Sequence, residues 1–457
     1  MTRPMTRRQA LQSASLGFGY TAFASLLAGK PHFPARAKNV IFCFMPGGVS
    51  HVDSFDPKPK LNELDGQSFS GFYQVGAKAE TNRKWVGSPW QFKQHGQSGA
   101  WVSDLFPHLA TCVDHMAIVR SMVSGFPLHP RANLLMHTGR NTGGFPSLGS
   151  WVNYALGSEN KNLPGYVLLH AGAVPPGGLE NFSNGFLPAT YQATAMQAEG
   201  KPVLNIDPAD KDPKIQRAKL DALLQQDRQF LSTTRNDDAI DSAIRNYEMA
   251  YTMQSVVPDV LSLDKESPAT KALYGLEVGD RHQRNYALQC LRARRLVEAG
   301  VRFVEITCPE VYGGDNGTWD QHSELKKGHE GNARITDQPI AGLIKDLASR
   351  GLLKETLIVW ATEFGRTPTK EGKFGRGHHG DCFSIWLAGG GVKGGIVHGE
   401  TDELGKNITR DNVDVHDLHA TILNQMGIDH TRLTYRHAGR DFRLTDVHGR
   451  IIKGILV

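Results

Sequence analysis

The sequence predicts an α/β protein built on a mostly parallel sheet, and two observations carry that prediction. Leu357 to Thr362 is a continuous apolar, partly β-branched run, too short for a buried helix and bounded by polar residues, which reads as a strand buried on both faces. Arg284 to Ala299 reads as a long helix, closed by Gly300 and feeding a strand from Val301 to Thr307, the helix-to-strand order of a βαβ unit. In open sheets of this kind ligands bind outside the carboxyl ends of the strands. Glu363 stands at such an end. Behind it come Gly365, Arg366 and a Gly-Arg-Gly-His-His loop, Gly375 to His379, before a second apolar run from Phe383 to Ala388 ends in three glycines. One carboxylate, two arginines and the adjacent imidazoles of His378 and His379 thus lie between two strands. The alternative is a solvated turn glutamate beside structural histidines.

Residues 1–37 are set apart as a targeting segment. Thr6, Arg7, Arg8, Gln9, Ala10 and Leu11 resemble a twin-arginine export signal, and a small-residue apolar run from Ala10 to Ala28 follows. Gln12, Ser13, Ser15 and two glycines make that run too weakly apolar for a stable membrane span. The expected partner is the twin-arginine translocation machinery, and the expected location is the periplasm or cell surface, with cleavage after Ala37. The leader holds five basic residues and no acid, so without it the chain has 46 basic against 46 acidic residues. A neutral mature chain gives no indication of nucleic acid or an anionic membrane as a partner. The five scattered cysteines form no CxxC pair and no even-numbered framework, consistent with folding in a reducing compartment.

The first mature strand is Asn39 to Met45, and the loop after it crowds Ser50, His51, Asp53 and Asp56 together. His51 and Asp53 are candidate metal ligands there, whereas Asp56, before Pro57, reads as a turn cap. Val102 to Ala110 is expected to be a helix with Leu105, Phe106 and Leu109 on one face, and Met116 to Val123 the next strand. After it the chain turns at Pro127 and Pro130, and His129 and Arg131 precede a short helix ending near Arg140. A strand, loop and helix start of this kind exposes a reactive side chain.

A helix from Leu148 to Leu156 and a strand from Tyr166 to His170 follow. Ala171 to Gly200 reads as irregular, Pro213 to Leu231 as a helix capped by Asp212, and Asp237 to Met253 as another helix. Residues 171–267 are taken as an insertion that either covers part of the site or packs peripherally. Beyond the strand ending at Thr307, a loop from Gly313 carries Asp320 and His322, two apart, which can reach one cation if the chain curls around it. Asp414 caps a helix from about Val415 to Met426, with His416 and His419 sharing a face.

Several long blocks, in order, resemble an exported bacterial family, the domain-of-unknown-function family fifteen-hundred-and-one, related to the sulfatases and the wider alkaline phosphatase superfamily. They are MPGGVSHVDSFDPKP, LHPRANLLMHTGR, PSLGSWVNYALGSENKNLPGYV, ARRLVEAGVRFVEI, GTWDQH, EFGRTP with GRGHH, and AGGGVKGG. The resemblance covers nearly the whole mature chain, residues 38–457, and implies a three-layer sandwich with a mostly parallel central sheet, alkaline phosphatase/sulfatase-like. VWATEFG resembles the late sulfatase strand that ends in a metal-binding carboxylate, which falls on Glu363, while Phe364 replaces a polar residue. VHDLHATIL resembles a sulfatase helix. HPRANLLMHTGR is similar to the nucleophile signature, with the nucleophile position on His129 and the signature arginine position on Asn133.

The resemblance, together with the loop positions read above, points to a divalent metal ion (calcium, zinc or magnesium) held by a set drawn from His51, Asp53, Asp320, His322, Glu363 and His378. His129, Arg366 and His379 are the implied catalytic residues, with Arg376 a further cation for the anionic group. The expected activity is hydrolysis of a sulfate or phosphate ester on an anionic small molecule or a sulfated polysaccharide. The alternative is a non-catalytic relative that binds a polysaccharide, a metal or a protein. Histidine at the nucleophile position cannot be converted to the sulfatase aldehyde, so any hydrolysis is expected to proceed by direct attack of water.

Overall fold

The computed structural model describes residues 30–457 apart from 70–72, 76–77, 81–82, 171–173, 205, 209, 211, 234–237 and 310–317. Arg7, Arg8 and the loop glycines Gly313, Gly314 and Gly317 lie outside the described residues.

Eleven strands position the site. They are β1 (Asn39–Phe44), β2 (Met116–Val123), β3 (Tyr166–His170), β4 (Thr194–Gln197), β5 (Phe303–Thr307), β6 (Thr356–Ala361), β7 (Gly365–Glu371), β8 (Gly375–His379), β9 (Phe383–Ala388), β10 (Ile396–His398) and β11 (Val413–Asp414). All but β7 and β8 form one nine-stranded sheet in the order β10-β2-β9-β6-β1-β5-β3-β4, with β11 also on β2. Pairing is parallel throughout except around β9, which runs antiparallel to both β6 and β2.

The central strands β1, β5 and β6 are buried at every position and mostly apolar because both faces are covered. In β1, Ile41 and Cys43 pack into one core layer and Val40, Phe42 and Phe44 into the other. The flanking helices are α1 (His129–Thr138), α2 (Leu148–Leu156), α3 (Pro213–Thr233), α4 (Asp238–Leu261), α5 (Arg281–Glu298), α6 (Leu325–Ser349) and α7 (Val415–Gln425). Helices α5 and α6 bury Leu291, Leu296, Ile340 and Ile344 on the first face, while α1, α2 and α7 bury Met136, Trp151, Leu418 and Ile422 on the second. Helix, sheet and helix make the three-layer sandwich. No helix among the described residues is long and apolar enough to cross a membrane.

Several local expectations change. Val102 to Ala110 is not a helix: Ala100–Ser103 is a strand paired with Phe92–His95, and the chain then turns at Pro107, which has no N–H to give a helix. Within the stretch read as irregular, β4 adds the outermost strand of the sheet. Helix α4 continues to Leu261, with Pro258 inside it, and packs Met253, Val257 and Leu261 into the first core layer. The described part of residues 171–267 therefore extends the sheet and core at the edge beyond β3. The Gly375–His379 segment, read as a loop, is the second strand of a hairpin with β7. All five cysteines are buried and free. At the end of the expected leader, the amides of Arg36 and Ala37 donate to the Gln425 carbonyl, each at 2.8 Å.

Candidate metal centre

Because β1, β2, β5 and β6 run parallel, their carboxyl ends lie on one edge, and the loops that leave them meet there. The β2 loop ends at His129, the first residue of α1. The β5 loop delivers Asp320 and His322, β6 delivers Glu363, and the β7–β8 hairpin delivers His378. His129 Nε2 lies 3.2 Å from Asp320 Oδ2, while His322 Nε2 and His378 Nε2 lie 2.8 and 3.1 Å from Asp320 Oδ1. The His378 imidazole also faces the other two, its Nε2 lying 3.0 Å from the Nε2 atoms of both His129 and His322.

The opposite ring nitrogens settle which atoms point inward. His378 Nδ1 donates to the Pro127 carbonyl at 2.7 Å, and a carbonyl only accepts, so the proton of the neutral ring is on Nδ1. His129 Nδ1 donates to Glu363 Oε1 at 2.6 Å, and His322 Nδ1 to Glu371 Oε1 at 2.7 Å. Burial alone would push both carboxyls up, but the paired histidines hold Glu363 and Glu371 below the usual range, so both accept as carboxylates. In the neutral rings three Nε2 lone pairs and the Asp320 carboxylate converge with no donor of their own. Arg366 donates to Asp320 from behind, but the facing Nε2 lone pairs still repel one another unless protons or a metal cation sit among them. Imidazoles oriented through Nδ1 by carboxylates or a carbonyl are the arrangement that metal-binding histidines adopt. Among the described residues, the ligand atoms of His129, Asp320 and His378 all lie within 4.8 Å of one another.

Without a metal the protons do the same work. Burial lowers His129, but hydrogen bonds to Asp320 and Glu363 outweigh it and raise the ring above the ordinary imidazole value. His322 is raised to about 9 by Asp320 and then Glu371, while burial lowers His378. Burial would raise Asp320 as well, yet the three histidines and Arg366 hold it far below the carboxylate range.

Glu363 is fully buried and fixed from three sides: besides His129, the Gly47 amide donates to it at 2.8 Å and the Thr362 hydroxyl at 3.1 Å. It orients a ligand and does not itself face the cluster of Nε2 atoms. Gly47 has φ 113°, and a Cβ there would lie 2.6 Å from the backbone nitrogens of both Trp319 and Asp320. Only glycine lets the β1 loop and the Asp320 loop touch. Phe364 packs its ring against His129 and His378, with centroids 4.7 and 4.8 Å apart.

Other expected site residues lie apart from the cluster. Asp53 is held by Arg376, whose Nε and Nη2 donate at 2.7 and 3.1 Å, and by Ser50. That buried pair joins the β1 loop to the hairpin. His51 Nε2 donates to the Gly405 carbonyl at 2.8 Å, and burial lowers its pKa to about 4. His379, expected to be catalytic, is buried and donates to the Lys406 carbonyl at 2.8 Å. Arg366, expected to meet an anionic substrate, has no exposed surface and donates instead to Gly47, Gly48, Arg376 and Asp320. It positions Asp320. His416 and His419 donate to the Gly139 and Met136 carbonyls, bracing the end of the helix that begins at His129. Glu371 escaped the sequence reading; two polar strands around Gly372 and Lys373 were the hairpin signal that leads to it.

Fold and site together define a three-layer α/β protein with a histidine–carboxylate centre at the carboxyl edge of its sheet. The chain belongs to the family described as "Protein of unknown function (DUF1501)", whose model matches residues 37–456. No curated protein matches the sequence. Among solved structures it is similar to the PsFucS1 sulfatase from Pseudoalteromonas sp., at 13% identity and TM-score 0.38, covering 93% of this chain and 72% of that one. It is also similar to the phosphonate monoester hydrolase SpPMH from Silicibacter pomeroyi, at 12% identity and TM-score 0.37 over 77% and 71%. A protein in the alkaline phosphatase superfamily from Vibrio parahaemolyticus gives 8% identity and TM-score 0.38 over 88% and 69%.

Proposed function

We propose that the protein is an exported, metal-dependent hydrolase of sulfate or phosphate esters. The observation that carries this reading is the convergence of three Nδ1-anchored imidazoles on the Asp320 carboxylate. His129, His378 and Asp320 would hold the ion, with His322 Nε2, 2.8 Å from Asp320 Oδ1, as the further donor beside them. A set of three nitrogens and one carboxylate suits zinc better than calcium or magnesium, which take oxygen ligands. When bound, such an ion polarises an ester oxygen and lowers the pKa of a water. The chain's own residues orient and shield: Glu363, Glu371 and the Pro127 carbonyl fix the three rings, and Phe364 covers one side. The open side lies at His322 and Glu371, whose side chains are 26% and 22% exposed. An ester enters there.

His129 is committed through both ring nitrogens, so it serves as a ligand and not as a covalent nucleophile; hydrolysis is then a single displacement by water. One observation favours the non-catalytic alternative, a metal- or glycan-binding relative. Arg366 and Arg376 are both consumed inside the protein, leaving neither to neutralise a transition state.

Metal content of the purified mature protein, with turnover of p-nitrophenyl sulfate and phosphate before and after chelation, tests the reading. Bound zinc and chelator-sensitive turnover are expected. Zinc without turnover selects the binding alternative, and absence of any metal overturns the centre. Export is tested by Arg7→Lys with Arg8→Lys, which should leave the precursor in the cytoplasm; unchanged export sinks that part.

A further inference from the structure

A groove of about 870 Å³ runs beside the β7–β8 hairpin, whose Glu371 accepts from His322, between the Lys84–Gln91 segment and the start of α6. Its walls carry two aromatic rings, Trp85 and Phe374, and four lysines, Lys84, Lys326, Lys327 and Lys370. Phe374 is 68% exposed, although its backbone is fixed on both sides: its amide donates to the Ser323 carbonyl and its own carbonyl accepts from Leu325. A large apolar ring pinned in water gains nothing for the fold. The ammonium groups of Lys370 and Lys373 stand 5.5 and 5.7 Å from its centroid, so the ring is rimmed with positive charge.

The groove and the centre share a wall. Lys370 faces the groove, whereas Glu371, the next residue of β7, donates no proton but accepts one from His322 on the other side, as alternation along a strand requires. Gly375 packs against the His322 carbonyl, where a Cβ would come within 2.0 Å of it. A chain lying in the groove therefore ends beside the open side of the centre.

We propose that this groove binds an anionic polysaccharide, seating sugar rings on Phe374 and Trp85 and its anionic ester groups on the lysines. The inference rests on the reading of the centre as an ester hydrolase, and it names the substrate class as a polymer. Asp65 and Glu324 also line the groove. They suit the hydroxyls of a sparsely charged glycan and oppose a nucleic acid, which carries a phosphate on every residue.

Affinity electrophoresis of the full mature protein at physiological salt tests it, with dextran sulfate, phosphorylated mannan, unmodified dextran or oligothymidylate in the gel. Retardation by dextran sulfate or phosphorylated mannan, and not by dextran, is expected; the two anionic gels separate sulfate from phosphate. Phe374→Ala with Lys370→Ala should weaken that retention about tenfold. Phe374 is exposed, so the variant keeps its fold, checked by unchanged thermal unfolding and unchanged turnover of the small aryl esters. No retardation of the unmodified protein, equal retardation of the variant, or oligothymidylate matching the anionic glycans would each overturn the proposal. Binding is read without turnover, so a failure of the hydrolase reading remains distinguishable.

Discussion

Glu363 Oε1 lies 2.6 Å from His129 Nδ1, joining the end of β6 to the first residue of α1 across 234 positions of sequence. The carboxylate holds the proton of one ring nitrogen and leaves the other to face Asp320. Oriented ligands bind metal more tightly, and removal of such a partner commonly costs about 10–100-fold in affinity. Glu363→Gln should therefore weaken zinc binding by about that factor, read by chelator competition. Unchanged affinity would show that Glu363 does not orient the ligand.

Gly47 is the second test of the centre. Alanine there must take a left-handed backbone and push into the Trp319–Asp320 backbone. The expected cost is about 1–3 kcal/mol of stability, together with displaced Asp320 and lost metal. A Gly47→Ala protein with unchanged unfolding and full metal content would refute the contact.

His129 tests the mechanism. His129→Ala should lose most bound metal and most of the proposed aryl-ester turnover, and intact-mass analysis of the quenched unmodified protein should show no sulfo- or phospho-adduct. A trapped covalent intermediate, or a variant as fast as the original, would contradict the assignment of His129 as a ligand.

A buried pair beneath the centre gives a pH prediction. His137 Nε2 lies 2.8 Å from Glu305 Oε1, and Tyr166 donates to Glu305 Oε2 at 2.8 Å. Burial opposes the charged ring, but Glu305 and the Asn133 carbonyl outweigh it and raise His137 above its ordinary value. A raised histidine contributes stability that is complete below the unfolded pKa of about 6.5 and is lost as pH rises through the folded one. The unmodified protein should thus lose more thermal stability than His137→Gln between pH 6 and pH 9. Parallel losses in the two proteins would exclude a charged His137.

The sequence by itself determined the layers and the edge. Predominantly apolar runs at β1, β6 and β9 required a sheet covered on both faces, and a parallel sheet puts its carboxyl ends, with Asp320, His322 and Glu363, on one side. The strength of those signals lies in burial, which is written as composition. Which polar residues met was decided by tertiary structure. His51, Asp53 and His379 have the same chemistry as the residues of the centre, but backbone carbonyls and Arg376 claim them first. Arg366 was drawn inward by Asp320 and three carbonyls. Glu371 joined the centre only because β7 and β8 fold back as a hairpin, placing it against His322, a residue 49 positions away. Hydrogen-bond partners at that range depend on angstrom-scale register between loops, and no periodicity in the chain encodes it.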